Sequence, residues 1–504
     1  MNKIFKRKSP HNRPKLQFYV SCGGDRLPVD TAFSWYSYAL RLLDDPLRPL
    51  PGWCGGPRQR RIRPRENRGR TKPFMVTSLL VIFVAICAFL LLQGMLRRGA
   101  IYEYPFLAGA VMVGFVLPQL IGLQHDRFLP PGALESALVV INLCAVMCWL
   151  GAAMAGPPRR KPEWVYDDRR LMMVSALLLL VGAYFYYAIS RLPAEMVENT
   201  QWTGLPVAYL FFARMLTYGF AIAVLMFARS GSRIALLLAL FGALFYFDRI
   251  VFGGRRLDTG EFAMIILLAW FFQRDRCLPR PAMLASLVVG ALVINSIGDY
   301  RSISGKEGGP QWNDIANIDF TGNFQRLTEQ GGAELTNAVH IIGAVGNTME
   351  FDLGVFHWNQ LVFAYVPAQL IGSDFKQALY LPISSPAYEQ YFYTPPMGST
   401  LTGFSDAYAS FWYFGCLKFF IIAFCMQKLW WHAREGSFLA QICYMLLPIQ
   451  ALEAITHTTQ NFLSPWVHMA IFLLPALYLA RKRQPRDRQA KISDPPELAS
   501  LPSH

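Results

Sequence analysis

Six arginines occupy positions where positive charge is hard to place. Arg214 lies inside the apolar run Leu205–Ala228, and Arg249, Arg255 and Arg256 lie in the polar turn Asp248–Thr259. Arg301 follows the apolar run ending at Asn295, and Arg326 lies further along the same polar stretch. A cation within or beside an apolar segment is costly and marks either a function or a buried partner. The guanidinium fork matches two phosphate oxygens at once and stays charged at any physiological pH. Arg214, Arg249, Arg255, Arg256 and Arg301 are therefore candidate ligands for a diphosphate. Taken singly, each has a plainer reading, with Arg249 pairing with Asp248 or Asp258 and Arg214 snorkelling or bonding to backbone carbonyls. Gly253 and Gly254 would let a ligand approach the backbone closely, as they would also serve a tight turn.

A second group lies in Ser296–Ser405, a stretch too polar to cross a membrane. Glu334, Asn337 and His340 recur every three residues, which makes them neighbours on a helix. His457 lies in Ala454–Asn461, at the end of an apolar run. Imidazole titrates near neutrality, so His340 and His457, with Glu334, are candidates for activating a hydroxyl; a structural, hydrogen-bonded histidine is the ordinary alternative. Gln390–Ser405 mixes aromatic residues with small hydroxyl-bearing ones, a surface that suits a sugar. Asn337, Tyr393 and Thr402 are the candidates for holding one, although aromatic residues also gather at any membrane interface. Val355–Gly372 is apolar but holds Pro367, and reads as an interfacial or re-entrant helix rather than a span.

The elements that must position these residues are membrane helices. The chain has 504 residues, 53% of them hydrophobic and 16% charged. Its apolar residues gather into runs near the roughly 20 residues that a spanning helix needs. Eleven are expected: Met75–Leu96, Tyr104–Leu123, Gly132–Met154, Leu171–Ile189, Leu205–Ala228, Ile234–Phe247, Glu261–Phe272, Pro281–Asn295, Tyr408–Met426, Phe438–Ile455 and Pro465–Ala480. The fold class is all-α, a polytopic integral membrane protein of about eleven spans with one large external loop. The nine cysteines lack paired metal-ligand spacing and mostly lie in apolar runs, as packing residues do. The formal charge of +15 sits in two tails and in short loops, so it reports orientation and not nucleic-acid binding.

Basic loops mark the cytoplasmic side. Arg97–Arg98, Arg159–Lys161 with Arg169–Arg170, Arg229 with Arg233, Arg274–Arg280, Lys428 with Arg434, and Arg481–Arg483 alternate with weakly charged loops if the first span enters from outside. The expected organisation is a basic extension (1–74), membrane helices (75–295), an external loop (296–405), further membrane helices (406–480) and a solvated cytoplasmic tail (481–504). Residues 1–74 break the charge rule, have no signal-peptide core and are expected to be disordered. Met75 opens directly onto the first span, so translation is expected to begin there; the alternative is a cytoplasmic basic arm with one span miscounted. No repeat of solenoid period is present.

The order Glu334–Asn337, Gly354, Tyr365-Val-Pro367, Gly398-Ser-Thr-Leu-Thr-Gly403, Asp406-Ala-Tyr408 and Phe414–Gly415, preceded by Gly253-Gly-Arg-Arg256 and Arg301, resembles the bacterial oligosaccharide repeat-unit polymerases, the O-antigen polymerases of Wzy type. The resemblance covers roughly Arg214 to Ala480. It implies a multi-pass protein of the bacterial inner membrane whose substrate is a glycan on undecaprenyl diphosphate, with a flippase and a chain-length regulator as partners. The implied reaction is metal-independent, needs no cofactor, and transfers a growing chain to a hydroxyl of the next unit while the arginines steady the departing diphosphate. An O-antigen ligase would share the donor and differ in the acceptor. A flippase or exporter would commonly show repeated halves and broken helices; the sequence has no such internal symmetry, and its polar mass is concentrated in one late loop.

Overall fold

The computed structural model describes residues 73–157, 164–193, 205–251, 254–304, 312–366, 371–383, 393–396 and 398–482. The expectations for residues 1–72 and for the tail beyond residue 482 lie outside the described residues. The chain is all-α: the described residues form helices and turns, with one isolated bridge between Tyr166 and Arg481. Lipid offers no partner to backbone N–H and C=O groups, so apolar runs of this length close their hydrogen bonds internally as helices.

Among the described residues, nine helices are long and apolar enough to cross a membrane: Phe74–Leu96, Tyr104–Leu123, Ala133–Met154, Asp168–Ser190, Leu205–Ser230, Arg233–Val251, Gly403–Arg434, Phe438–Thr456 and Gln460–Leu479. Two less apolar helices, Arg256–Arg274 and Arg280–Ser304, run between the same two faces. At one face Asp275 meets Arg98 at 3.4 Å and Arg434 at 3.9 Å, and the Leu278 amide donates to Tyr102 Oη. At the other, the Tyr300 hydroxyl donates to the Val251 carbonyl at 2.8 Å. The sequence expectation cut these two helices, and Arg233–Val251, too short. A helix continues past its apolar core wherever charged side chains can reach water from its ends.

The basic loops converge on a single face. Besides the Asp275 contacts, Lys428 donates to the Gly156 carbonyl at 2.9 Å, Arg170 to the Arg481 carbonyl at 3.3 Å, and Arg229 lies 3.7 Å from Asp168. The opposite face carries the remainder of the loop. Helix Ala333–Thr348 is seated there by Gln119, whose Oε1 accepts the Leu335 amide at 3.1 Å. Close approach does the rest: a Cβ on Gly122 would overlap the Gly331 backbone, and one on Gly343 would come within 2.7 Å of the Ala133 Cβ. Helix Phe320–Gln330 is tied to Arg280–Ser304 by Asn323, which donates to Asp299 at 2.6 Å. The boundaries expected at 296 and 405 fall inside helices Arg280–Ser304 and Gly403–Phe411. Val355–Tyr365 is a short helix held by Trp358 and Asn359, which donate to the Leu379 and Leu381 carbonyls. It does not span, so the chain returns to the membrane at Gly403 from the face opposite the basic loops.

Candidate functional site

Arg214 sits at a break between Leu205–Ala213 and Met215–Ser230. Its neighbourhood is fixed from three sides. Ser175 donates to the Gly219 carbonyl at 2.7 Å, and Gly182 lets the Leu216 backbone approach closely. His468 joins Tyr218 (2.6 Å) to the Phe211 carbonyl (2.7 Å), while the Tyr246 hydroxyl donates to Thr217 at 3.1 Å. Helix Arg256–Arg274 is drawn into the same place by Phe262, which stacks on Phe220 at 5.5 Å and meets Tyr246 at 5.4 Å. Its first turns then bring Arg255 and Arg256, Asp258 and Glu261 beside helix Pro448–Thr456, where Gly260 packs against Ile449.

The result is one cluster of mixed charge. Glu453 lies within electrostatic reach of Arg214, Arg256 and Glu261, with the Asn461 side chain beside it. Glu261 lies within reach of Arg214, Arg249 and Asp258, with the Gln450 side chain beside it. Arg255, Arg256, Glu261 and Glu453 are half-buried, and Arg214 is exposed. Sequence reasoning named the arginines and missed Glu261 and Glu453; a carboxylate in the otherwise apolar helix Pro448–Thr456 was the available signal.

Two arginines leave the expected set. Arg249 is closed by Asp258: Nε donates to Oδ2 at 2.8 Å, Nη2 to Oδ1, and Nη1 to the Tyr186 hydroxyl at 2.6 Å. A fork already matched to a carboxylate has no bidentate face to offer, so the diphosphate role expected for Arg249 is withdrawn. The Arg301 side chain lies outside the described residues. Among the described residues, the ion pairs within 4.0 Å do not include Arg214, Arg255 or Arg256.

The loop residues are arranged differently from the expectation. Asn337 is fully buried and its amide is committed, donating to Ser399 Oγ and the Thr400 carbonyl, both at 2.8 Å, while its Oδ1 accepts the Tyr393 hydroxyl. His340 stacks face to face on Tyr393, with centroids 3.8 Å apart and 7° between planes. Burial holds the His340 imidazole below its ordinary range and pushes the Tyr393 phenol up to about 12. Thr402 is buried, with φ at +63° and ψ at 149°. Asn337, Tyr393 and Thr402 therefore pack within the loop, Asn337 and Thr402 buried and Tyr393 half-buried, so their polar groups are largely spent on the loop itself; composition suggested a sugar surface but could not show what covers it. Glu334 lies half-buried in the first turn of Ala333–Thr348. His457 caps Pro448–Thr456, with Nδ1 2.8 Å from Thr456 Oγ1. The Thr400 hydroxyl donates to the Thr456 carbonyl at 2.6 Å, which locks the loop one turn beyond Glu453.

Beyond that turn lies a network the sequence did not announce. Lys418 Nζ is 3.1 Å from Asp406 Oδ1, 2.8 Å from Ser410 Oγ and 2.6 Å from His357 Nε2. Asp406 Oδ2 accepts the Thr459 amide at 2.8 Å and its hydroxyl. With Nε2 accepting from the ammonium, His357 carries its proton on Nδ1 and donates to Gln460 Oε1 at 3.0 Å. His357 Nε2 also lies 3.1 Å from Asp406 Oδ1, and together these contacts clamp Gly403–Phe411, Val355–Tyr365 and the 457–460 turn to one another. Among the described residues no three His, Cys, Asp or Glu side chains are gathered as a metal ion would require.

Compared with protein-family models, with curated proteins and with solved structures, the chain finds no match.

Proposed function

We propose that this membrane protein polymerises lipid-linked oligosaccharides, taking a glycan on undecaprenyl diphosphate as donor and a second lipid-linked unit as acceptor. The observation that carries the proposal is the convergence of exposed Arg214 with half-buried Arg255 and Arg256 around Tyr186 and Glu453, on the face away from the basic loops and beside a loop layer tied down at Thr456. By the positive-inside rule that face is external, where lipid-linked glycans would be presented in a bacterial inner membrane.

In the proposed reaction the bond between the donor's anomeric carbon and its phosphate oxygen breaks. A bond from that carbon to the acceptor hydroxyl oxygen forms, the hydroxyl proton is released, and the carrier diphosphate departs with the electron pair. Negative charge grows on the leaving group, and guanidinium groups already held in place stabilise it without reorganising. The sequence resemblance to the repeat-unit polymerases supports the same reading, and a flippase and a chain-length regulator are the partners it brings.

The test is deletion of the gene, with surface polysaccharide length followed on gels, and complementation with Arg214→Ala, Arg255→Ala and Arg256→Ala. Single capped units in the deletion strain and in the variants are the expected result. Long polymer persisting in the deletion strain rejects the proposal, and long polymer accumulating on the lipid carrier indicates a ligase instead.

A further inference from the structure

The arginine cluster holds its own anions. Arg249 is matched by Asp258, but Glu261 and Glu453 stand among the remaining cations without closing on any one of them. Their positions are built rather than incidental. Gln450 and Glu453 lie one helical turn apart, and close packing of Gly260 on Ile449 sets Glu261 beside them. When ionised, these two carboxylates offset the charge of Arg214 and Arg256. A bound diphosphate would add two negative charges to that balance, in a place partly removed from water where like charges repel strongly.

We infer that Glu453 and Glu261 are internal counter-ions that face Arg214 and Arg256 until a diphosphate takes their place, and that return as the released diphosphate leaves. The inference rests on the diphosphate reading of the site and adds to it a means of release. A site of bare arginines would keep its product, whereas resident carboxylates compete with it. Because a protonated carboxyl no longer competes, binding of the diphosphate is coupled to proton uptake, and affinity rises as pH falls. The groups facing Glu453 are Arg214 from Leu205–Ser230, Arg256 and Glu261 from Arg256–Arg274, and Asn461 from Gln460–Leu479. Those facing Glu261 are Arg214, Arg249, Asp258 and Gln450. Of the acids, Asp258 is held by Arg249 in a bidentate pair, so the exchange falls to Glu261 and Glu453.

The test uses the full-length protein in detergent micelles and a farnesyl-diphospho-N-acetylglucosamine probe, whose doubly esterified diphosphate keeps constant charge near neutrality. Affinity is measured by calorimetry from about pH 5.5 to about pH 8.5. Glu453→Gln is expected to tighten binding about tenfold near pH 8 and to flatten the pH dependence, with Glu261→Gln acting in the same direction. Unchanged or weaker binding in both variants, with the wild-type slope retained, overturns the inference. Arg214→Ala and Arg256→Ala separate the two claims: if they leave affinity unaltered the diphosphate site itself is wrong, whereas if they weaken it while the glutamine variants change nothing, only the counter-ion exchange is wrong.

Discussion

The Lys418 ammonium and the Asp406 carboxylate lie 3.1 Å apart with 15% and 5% of their side chains exposed, so the outer end of the helix bundle contains a nearly dry salt bridge. Removing one partner strands the other charge where water cannot reach it. Asp406→Ala or Lys418→Met is expected to cost about 3–5 kcal/mol. The double variant Asp406→Leu/Lys418→Met should lose less than the sum of the two. Thermal unfolding in detergent, arranged as a double-mutant cycle, measures the coupling; additive losses would show that the pair contributes nothing beyond its separate members.

Arg249 and Arg256 are seven residues apart and are expected to fail in different ways. Arg249→Ala leaves Asp258 buried without its partner, at a cost of about 3–5 kcal/mol, and should lower the amount of folded protein in the membrane. Arg256→Ala should keep the wild-type unfolding temperature and lose polymer. Measuring unfolding temperature and polysaccharide length on the same two variants checks the contrast.

Gly403 and Gly415 stand where helices touch backbone to backbone. A Cβ on Gly403 would overlap the Ala454 carbonyl oxygen, and one on Gly415 the Ala407 carbonyl oxygen. Backbone cannot swing aside as a side chain can, so either alanine variant is expected to cost at least about 1–3 kcal/mol. Gly156→Ala, where nothing lies within 4 Å of the added methyl, should be neutral. Unfolding temperatures of the three variants compare directly.

The loop should loosen in acid through His340. Burial lowers its folded-state pKa beneath the unfolded value, so the unfolded chain binds more protons in the window between the two. Stability is therefore complete above the ordinary histidine pKa of about 6.5 and declines as pH falls through the folded-state pKa. Hydrogen exchange of Ala333–Thr348 at mildly acid and neutral pH should show this decline, and His340→Phe, which keeps the stack on Tyr393 and cannot titrate, should abolish it.

Much of the architecture was legible because it depends on composition along the chain. Runs such as Met75–Leu96 and Leu205–Ala228 can only be satisfied as helices in lipid, and the alternation of basic loops from Arg97 to Arg481 anticipated the single face on which they meet. The candidate site was legible in part. Arg214, Arg255 and Arg256 are conspicuous as cations out of place, but their carboxylate neighbours Glu261 and Glu453 come from helices nearly two hundred residues apart, and nothing local couples them.

Other assignments needed the folded chain. The spacing of Asn337 and His340 placed them on one helix face, yet only packing revealed that Ser399, Thr400 and Tyr393 seal that face. His357, Asp406, Lys418 and Thr459 look unrelated in one dimension and form a closed network in three. The sequence by itself determined that the chain is a helical membrane protein and which way its helices alternate, because hydrophobicity and loop charge act residue by residue. Tertiary structure alone decided which ionic groups neutralise one another and which remain available, because Coulomb interaction and hydrogen bonding depend on distance in space, and that distance is set by how helices pack rather than by their order.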